Sequence, residues 1–214
     1  QWKWVQILSK TQQTQSLIMA VNRLMDQDET FRDLKFIGIG FPKSYATWIE
    51  VEAKKYNIDP LLVRSLIRQE SAFSLKAFST SSAMGLMQMI PMTAEEIARR
   101  LKMKVRIPDD MYRPEVNVPM GTFYIVDMLN QFSKNVPMAL GAYNAGPARL
   151  KSWLELRPEV MALQQSPGND PLDEIWLDEL PWNETSFYIK AILRNILIYQ
   201  MIDKGPVQFK PVFW

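Results

Sequence analysis

NIDPLLVRSLIRQESAFSLKAFSTSSAMGLMQMIP, residues 57 to 91, holds the start of a helix, its end, and a carboxylate in an unexpected place. Asp59 is a side-chain cap, and Pro60 suits a first helical position, where a missing N–H costs nothing. Leu62 and Leu66 then recur at helical spacing, and Glu70 is the next residue on the same line. The pattern predicts a helix over Leu61–Glu70 with one face in a core and an acid at the end of that face. Two readings of the acid stand. Held among apolar groups, it keeps its proton because desolvation disfavours the charged form, which is the profile of a general acid in glycoside cleavage. Turned outward, or paired with Arg64, Arg68 or Lys76, it is an ordinary carboxylate. Helix position alone leaves both open.

Outward from this helix the chain reads as all-α. Lys43 to Tyr56 is helical before it. Residues 71–91 are rich in Ser, Ala and Met without a stable period, and predict a loop that Thr93 ends by opening a helix to about Lys102. VRIPDDMYRPEVNVP, with its three prolines, reads as a connecting loop. Helices follow over Met120–Phe132, Pro137–Tyr143 and Ala148–Leu156, the last two separated by the NAGP turn at 144–147. Residues 157–171 predict an exposed loop. Glu184–Met201 is apolar on most of its circumference, as in a helix enclosed by others. Residues 11–37 alternate polar and apolar positions at helical spacing, with DQDET at 26–30 as a turn. The expected division is a helical N-terminal segment over 1–40, possessing the character of the end of a larger helical domain, a main domain over 41–204 entered through FPKSY, and a tail over 205–214. No period-2 strand and no internal repeat stand out.

Composition excludes several chemistries. There is no cysteine and no histidine, so Ser-His and Cys-His pairs, disulfides and zinc sites of nitrogen and sulfur ligands are ruled out. No cofactor is called for: DQDET and PDD lack the spacing of a calcium loop, and no phosphate or dinucleotide fingerprint occurs. No metal site is read. Lys and Arg number 25 against 23 acids, too balanced to call nucleic acid a partner. No apolar run approaches a transmembrane segment, since AILRNILIYQMI is interrupted by Arg194 and Asn195. A chain opening at Gln1 without a signal-like segment is expected to be a processed or excised form. Protein partners are not encoded in any legible pattern.

The blocks QESAF at 69–73, Ser79, AMGLMQMIP at 83–91, PEVNVPMGTFYI at 114–125, LGAYNAGP at 140–147 and LPWNETSFYIKAIL at 180–193 resemble, in order and spacing, those of the soluble lytic murein transglycosylases, SLT-domain enzymes of the lysozyme superfamily that cleave peptidoglycan. KYNIDPLLVRSLIRQES resembles the start of this domain in the large periplasmic members. The resemblance spans roughly 41–203 and leaves residues 1–40 without a motif. It implies an all-α, lysozyme-like (goose-type) domain acting on peptidoglycan glycan strands in the periplasm or envelope of a Gram-negative bacterium. Glu70 would be the single catalytic acid and base, cleaving between N-acetylmuramic acid (MurNAc) and N-acetylglucosamine (GlcNAc) to leave 1,6-anhydro ends. Ser79 and Gln88 would contact the sugar at the cleavage site, Tyr143 would lie near the anomeric centre, and Glu184 would line the cleft. Met87 and Met89 join the substrate-binding candidates only because they flank Gln88, and Asn144 because it follows Tyr143.

Each candidate has a plainer reading from the residues themselves. Tyr143 could be a core tyrosine with its hydroxyl satisfied. Glu184 follows Asn183 in a helix's first turn, where the dipole favours an acid without any function. Asn144 could simply build the NAGP turn. Trp153, Trp176 and Trp182 invite a sugar-stacking reading, but scattered tryptophans are more often packing residues. LDEIWLDEL at 172–180 reads as a helix with a solvated acidic face. Two rival functions share the fold: a lysozyme-type hydrolase that needs a second carboxylate to hold water, and a glycan-binding module without turnover.

Overall fold

The computed structural model describes residues 2–11, 13–163 and 176–205, and among these the regular structure is helical, with β-pairing confined to isolated bridges at Phe78–Met84 and Met84–Met89. Twelve α-helices are described: α1 Trp2–Leu8, α2 Thr14–Gln27, α3 Leu34–Ile39, α4 Ala46–Tyr56, α5 Pro60–Ser71, α6 Pro91–Leu101, α7 Pro114–Gln131, α8 Val136–Ala145, α9 Pro147–Glu155, α10 Pro158–Ala162, α11 Trp176–Glu179 and α12 Asn183–Lys204. No helix among the described residues is long and apolar enough to cross a membrane. The described residues divide into two units, one holding those through Thr122 and from Asn195 onward, the other those between Phe123 and Arg194. The boundaries fall inside α7 and α12.

The first unit is built around α5. Its residues Leu61 through Arg68 are all buried, Arg64, Ser65 and Arg68 included, so this helix, rather than α12, is the enclosed one. Two buried cations require partners. The Arg68 guanidinium donates to the Gly40 carbonyl and the Asn195 Oδ1, each at 3.1 Å, and lies 3.9 Å over the Phe41 ring. Arg64 stacks over Tyr199 and reaches Glu50 at 3.7 Å. The Tyr199 hydroxyl donates to the Pro42 carbonyl at 3.0 Å, and burial drives its pKa far up, so it stays a donor. These contacts fasten the FPKSY entry to α5 and the second half of α12.

Residues 2–40 pack their own apolar cluster, in which Val5, Leu8, Leu17, Val21, Leu24 and Phe36 are buried. The DQDET turn is closed by Asp28, whose carboxylate accepts from the Thr30 N–H and hydroxyl at 2.9 and 2.7 Å. α4 starts at Ala46 rather than Lys43 because Tyr45 is left-handed (φ 57) and its ring stacks on Phe73. α6 starts at Pro91 rather than Thr93, the proline taking the first helical position. The connecting loop expected over VRIPDDMYRPEVNVP is corrected more substantially: a 3₁₀ turn occupies Asp109–Tyr112, and α7 begins at Pro114 and continues through Pro119. The first proline suits the helix start; the second forgoes one intrahelical bond without ending the helix.

In the second unit, α8 is capped by Asn135, whose side chain accepts from the Met138 N–H at 2.9 Å. A Cβ on Gly141 would stand 3.4 Å from both Leu150 and Ile189, so α8, α9 and α12 meet there at close range. Trp153 and Trp176 are buried with ring centroids 6.0 Å apart, as packing residues rather than a sugar platform. α12 keeps a solvent stripe of Glu184, Phe187, Lys190 and Arg194. The loop expected over 157–171 contains the short helix α10. Its remainder from 164, the LDEI start of the acidic helix at 172–175, and the tail from 206 lie outside the described residues. Within 176–180, Asp178 and Glu179 are exposed while Trp176, Leu177 and Leu180 are buried.

Candidate active site

The local chemistry of α5 sets the position of Glu70. Asp59 Oδ1 accepts the Leu61 N–H at 2.7 Å and Pro60 occupies the first turn. At the other end Ala72 is left-handed (φ 46) and its N–H closes on the Arg68 carbonyl at 3.1 Å. Leu62 and Leu66 are buried, and Glu70, a turn further on, is half-buried. It therefore stands where the buried face of the helix gives way to a partly exposed one. Its neighbour Ser71 is buried and donates to the Leu86 carbonyl at 2.8 Å, with the Ile67 carbonyl one turn back at 3.2 Å. That bond ties the residue after the acid to the middle of the GLMQ segment.

The GLMQ segment is a tight loop with several closures. Met84 and Met89 exchange backbone bonds of 3.1 and 3.2 Å. Gly85 adopts φ 75 and Gln88 φ 46, both left-handed. The Gln88 Nε2 donates to the Gly85 and Ala77 carbonyls at 2.9 and 3.2 Å, and the Gly85 N–H reaches the same Ala77 carbonyl at 3.0 Å. Ser79 Oγ accepts from the Ala83 and Ser81 N–H groups at 3.0 and 3.2 Å. Both predicted sugar contacts thus build the loop with part of their bonding capacity. The Gln88 Oε1 and the Ser79 hydroxyl hydrogen are the parts those bonds do not use. Met87 and Met89 are 0% and 2% exposed, so both pack in the core and present no surface to a ligand.

One residue that sequence reasoning did not single out holds this loop from its other side. Asn117, in the first turns of α7 and wholly buried, accepts the Met87 N–H at 2.7 Å and donates to the Met84 and Met111 carbonyls at 3.0 and 2.9 Å. One turn along the same helix face is Gly121, where a Cβ would lie 2.4 Å from the Met87 sulfur and 2.6 Å from its Cβ. The available signal was an amide set in the apolar run VNVPMG, which the loop reading of that stretch hid.

The remaining candidates lie in the second unit. Tyr143, near the end of α8, is half-buried with its ring 5.0 Å from Tyr124. Asn144 is within α8 rather than in the turn, and its Oδ1 accepts the Thr185 hydroxyl at 2.7 Å, which ties the end of α8 to the first turn of α12. Glu184 is the exposed residue beside Thr185. Trp182 is half-buried beneath the Arg149 guanidinium, 4.2 Å from its centroid. A cavity of about 760 Å³ in the first unit is walled by hydroxyl and amide side chains of residues 9–17 together with Ser44, Tyr45, Phe73 and Lys76. None of the eight candidates lines it, and it offers no acid.

Comparison with known proteins agrees with the helical architecture. The transglycosylase SLT domain family model matches residues 47–163, more than half of the chain. The soluble lytic murein transglycosylase of Salmonella typhimurium is 32% identical over 164 residues, 75% of this chain and 23% of that relative. An inactive glutamate-to-glutamine mutant of the lytic transglycosylase Slt from Pseudomonas aeruginosa superposes with a TM-score of 0.76 at 27% identity, over 95% of this chain and 30% of that one. The 70 kDa soluble lytic transglycosylase of Escherichia coli gives a TM-score of 0.78 at 25% identity, over 94% of this chain and 30% of that one. The chain thus spans less than a third of the length of these relatives. On the family match and the all-helical fold together, the chain belongs to the transglycosylase SLT domain family.

Proposed function

We propose that this chain cleaves the β-1,4 bond between MurNAc and GlcNAc in peptidoglycan without consuming water, with Glu70 as the only acid and base. The carboxylic acid protonates the glycosidic oxygen, and GlcNAc leaves as an alcohol. The resulting carboxylate takes the proton of the MurNAc C6 hydroxyl while that oxygen attacks the anomeric carbon, giving a 1,6-anhydro end and restoring the acid. The 2-acetamido group assists departure, so no carboxylate nucleophile is needed. The observation that carries this reading is the half-buried Glu70 at the end of the otherwise buried face of α5, with the loop bearing Gln88 tied to the next residue by Ser71. The inactive Pseudomonas aeruginosa protein differs at a single glutamate, which supports a mechanism hanging on one carboxylate.

Within this reading Gln88 Oε1 and the Ser79 hydroxyl bind sugar amide and hydroxyl groups, while Met87 and Met89 serve packing. Tyr143, Asn144 and Glu184 keep substrate roles on the resemblance; the first two fall inside the matched residues 47–163. Residues 41–204 form the catalytic domain, residues 1–40 a helical appendage, and the work is done in the envelope of a Gram-negative bacterium. Mass spectrometry of digested peptidoglycan tests the chemistry: anhydro ends are expected, and reducing muramic ends would assign a hydrolase instead. Glu70→Gln should lose on the order of 10²-fold or more in turnover while still binding glycan strands. Full lytic activity in that variant would refute the role of Glu70. In the same digest, Tyr143→Phe and Glu184→Gln should slow release, and unchanged rates would remove them from the site.

A further inference from the structure

We infer that Asn117 is a positioning residue for the reaction: through the backbone of Met84, Met87 and Met111 it sets where the loop bearing Gln88 stands relative to Glu70. The inference rests on the lytic reading above and deepens it. A buried amide has one acceptor and two donor hydrogens to place, and Asn117 places all of them on backbone, at 2.7, 3.0 and 2.9 Å. Two of the three partners belong to the loop itself, 30 and 33 residues away in sequence. From the opposite side Ser71, the neighbour of Glu70, holds the Leu86 carbonyl at 2.8 Å. The loop backbone from Met84 to Met87 is therefore gripped by the helix carrying the acid and by α7.

Gly121 completes the grip by different physics. It sits one turn from Asn117 on the same face, and the missing Cβ is what lets Met87 seat against the helix, since a methyl there would stand 2.6 Å from the Met87 Cβ. That contact is with the root of the side chain, so rotating Met87 does not relieve it and the loop backbone must move. Asn117 supplies the attachment and Gly121 the depth of seating. A loop that binds sugar poorly would change KM, whereas a loop that holds bound sugar out of line with Glu70 lowers kcat.

The test uses the full chain with peptidoglycan as substrate, in steady-state kinetics below the melting temperature of every variant, alongside amide hydrogen exchange. Asn117→Ala is expected to lower kcat about tenfold or more with KM within about threefold, and to speed exchange of the Met87 amide. Gly121→Ala, which leaves the three hydrogen bonds their partners, is expected to show the same kinetic pattern, and it carries the test should Asn117→Ala fail to fold. Val21→Ala in the α2 core lowers stability and should leave kcat unchanged. The inference is overturned if the folded Asn117→Ala and Gly121→Ala variants keep kcat within about threefold of wild type, or if KM alone rises. A wild-type chain that releases no anhydro ends sinks the lytic reading and the kinetic role with it. Unchanged Met87 exchange in Asn117→Ala refutes the grip even when activity is present.

Discussion

Gly85→Ala is the substitution whose cost the structure fixes most closely. At φ 75 an alanine adopts a left-handed conformation that costs it about 1–2 kcal/mol. The new Cβ would also stand 2.2 Å from the Met111 carbonyl oxygen and 2.4 Å from the Asn117 Nδ2. Neither neighbour can swing aside, one being backbone and the other a side chain committed to three hydrogen bonds. Forcing them apart adds an overpacking cost of about 1–3 kcal/mol. Loosening the bond between Asn117 and Met111 strands a buried carbonyl for about 1–3 kcal/mol more. Together these give about 3–8 kcal/mol, a large part of the 5–15 kcal/mol that holds a typical domain. At about 2–4 °C per kcal/mol for a chain of this size, the melting temperature should fall by at least about 6 °C. Thermal unfolding followed by far-UV circular dichroism measures it, with Gly146→Ala as the comparison. Gly146 also has a positive φ, of 90, but nothing lies within 4 Å of its Cβ position, so its cost is backbone strain alone, about 1–3 kcal/mol. If Gly85→Ala proves no more destabilising than Gly146→Ala, the account of a loop pressed against α7 fails.

Two further predictions concern the frame. Asp59→Ala removes the cap on Leu61 N–H and should cost about 1 kcal/mol in thermal unfolding, while Asp59→Asn, which still accepts that bond, should cost less; equal losses would show that the cap is not the source. Asp110 has its pKa lowered, first by the Arg106 N–H at 2.9 Å and then by the Arg106 guanidinium. A depressed carboxylate contributes stability that is complete above its unfolded pKa of about 3.9 and is lost as pH falls through its lower folded value. The melting-temperature gap between wild type and Asp110→Asn should therefore be constant above about pH 5 and shrink below about pH 4; a gap that widens on acidification would contradict this assignment.

Why α5 was legible and the start of α7 was not follows from where each signal lies. The cap, the proline and the leucine spacing of α5 are local, and the structure places the helix within a residue of the predicted ends at both sides. In VRIPDDMYRPEVNVP three prolines suggested a loop, yet Pro114 takes the first helical position, where proline is favoured, and Pro119 is tolerated inside α7. Tertiary packing decides this case: Val116, Val118 and Met120 are buried around Pro119, which offsets one missing backbone bond. Within the helical segment expected over 1–40, α1 was not picked out as an element, because seven residues are too few for a period, and its burial of Val5 and Leu8 depends on α2 and α3.

The candidate site offers the sequence reader residue types but not the frame that holds them, for the same reason. Gln88 and Ser79 are recognisable in a motif, but their side chains spend hydrogen bonds on Gly85, Ala77, Ala83 and Ser81, which no spacing rule reveals. Ser71 reaches Leu86 across 15 residues, and Asn117 reaches Met87 across 30. Such bonds are set by the packing of α5 and α7, so a local reading finds the motif residues and misses those that hold their loop. It follows that motif identity is weaker evidence for activity than motif plus frame. A chain with the same glutamate, serine and GLMQ but no amide at 117, or a side chain at 121, would keep every residue a motif search rewards. It would lose the seat of the loop, because the Met84 and Met111 carbonyls would be left without the donor that Asn117 supplies or Met87 would be pushed off the helix.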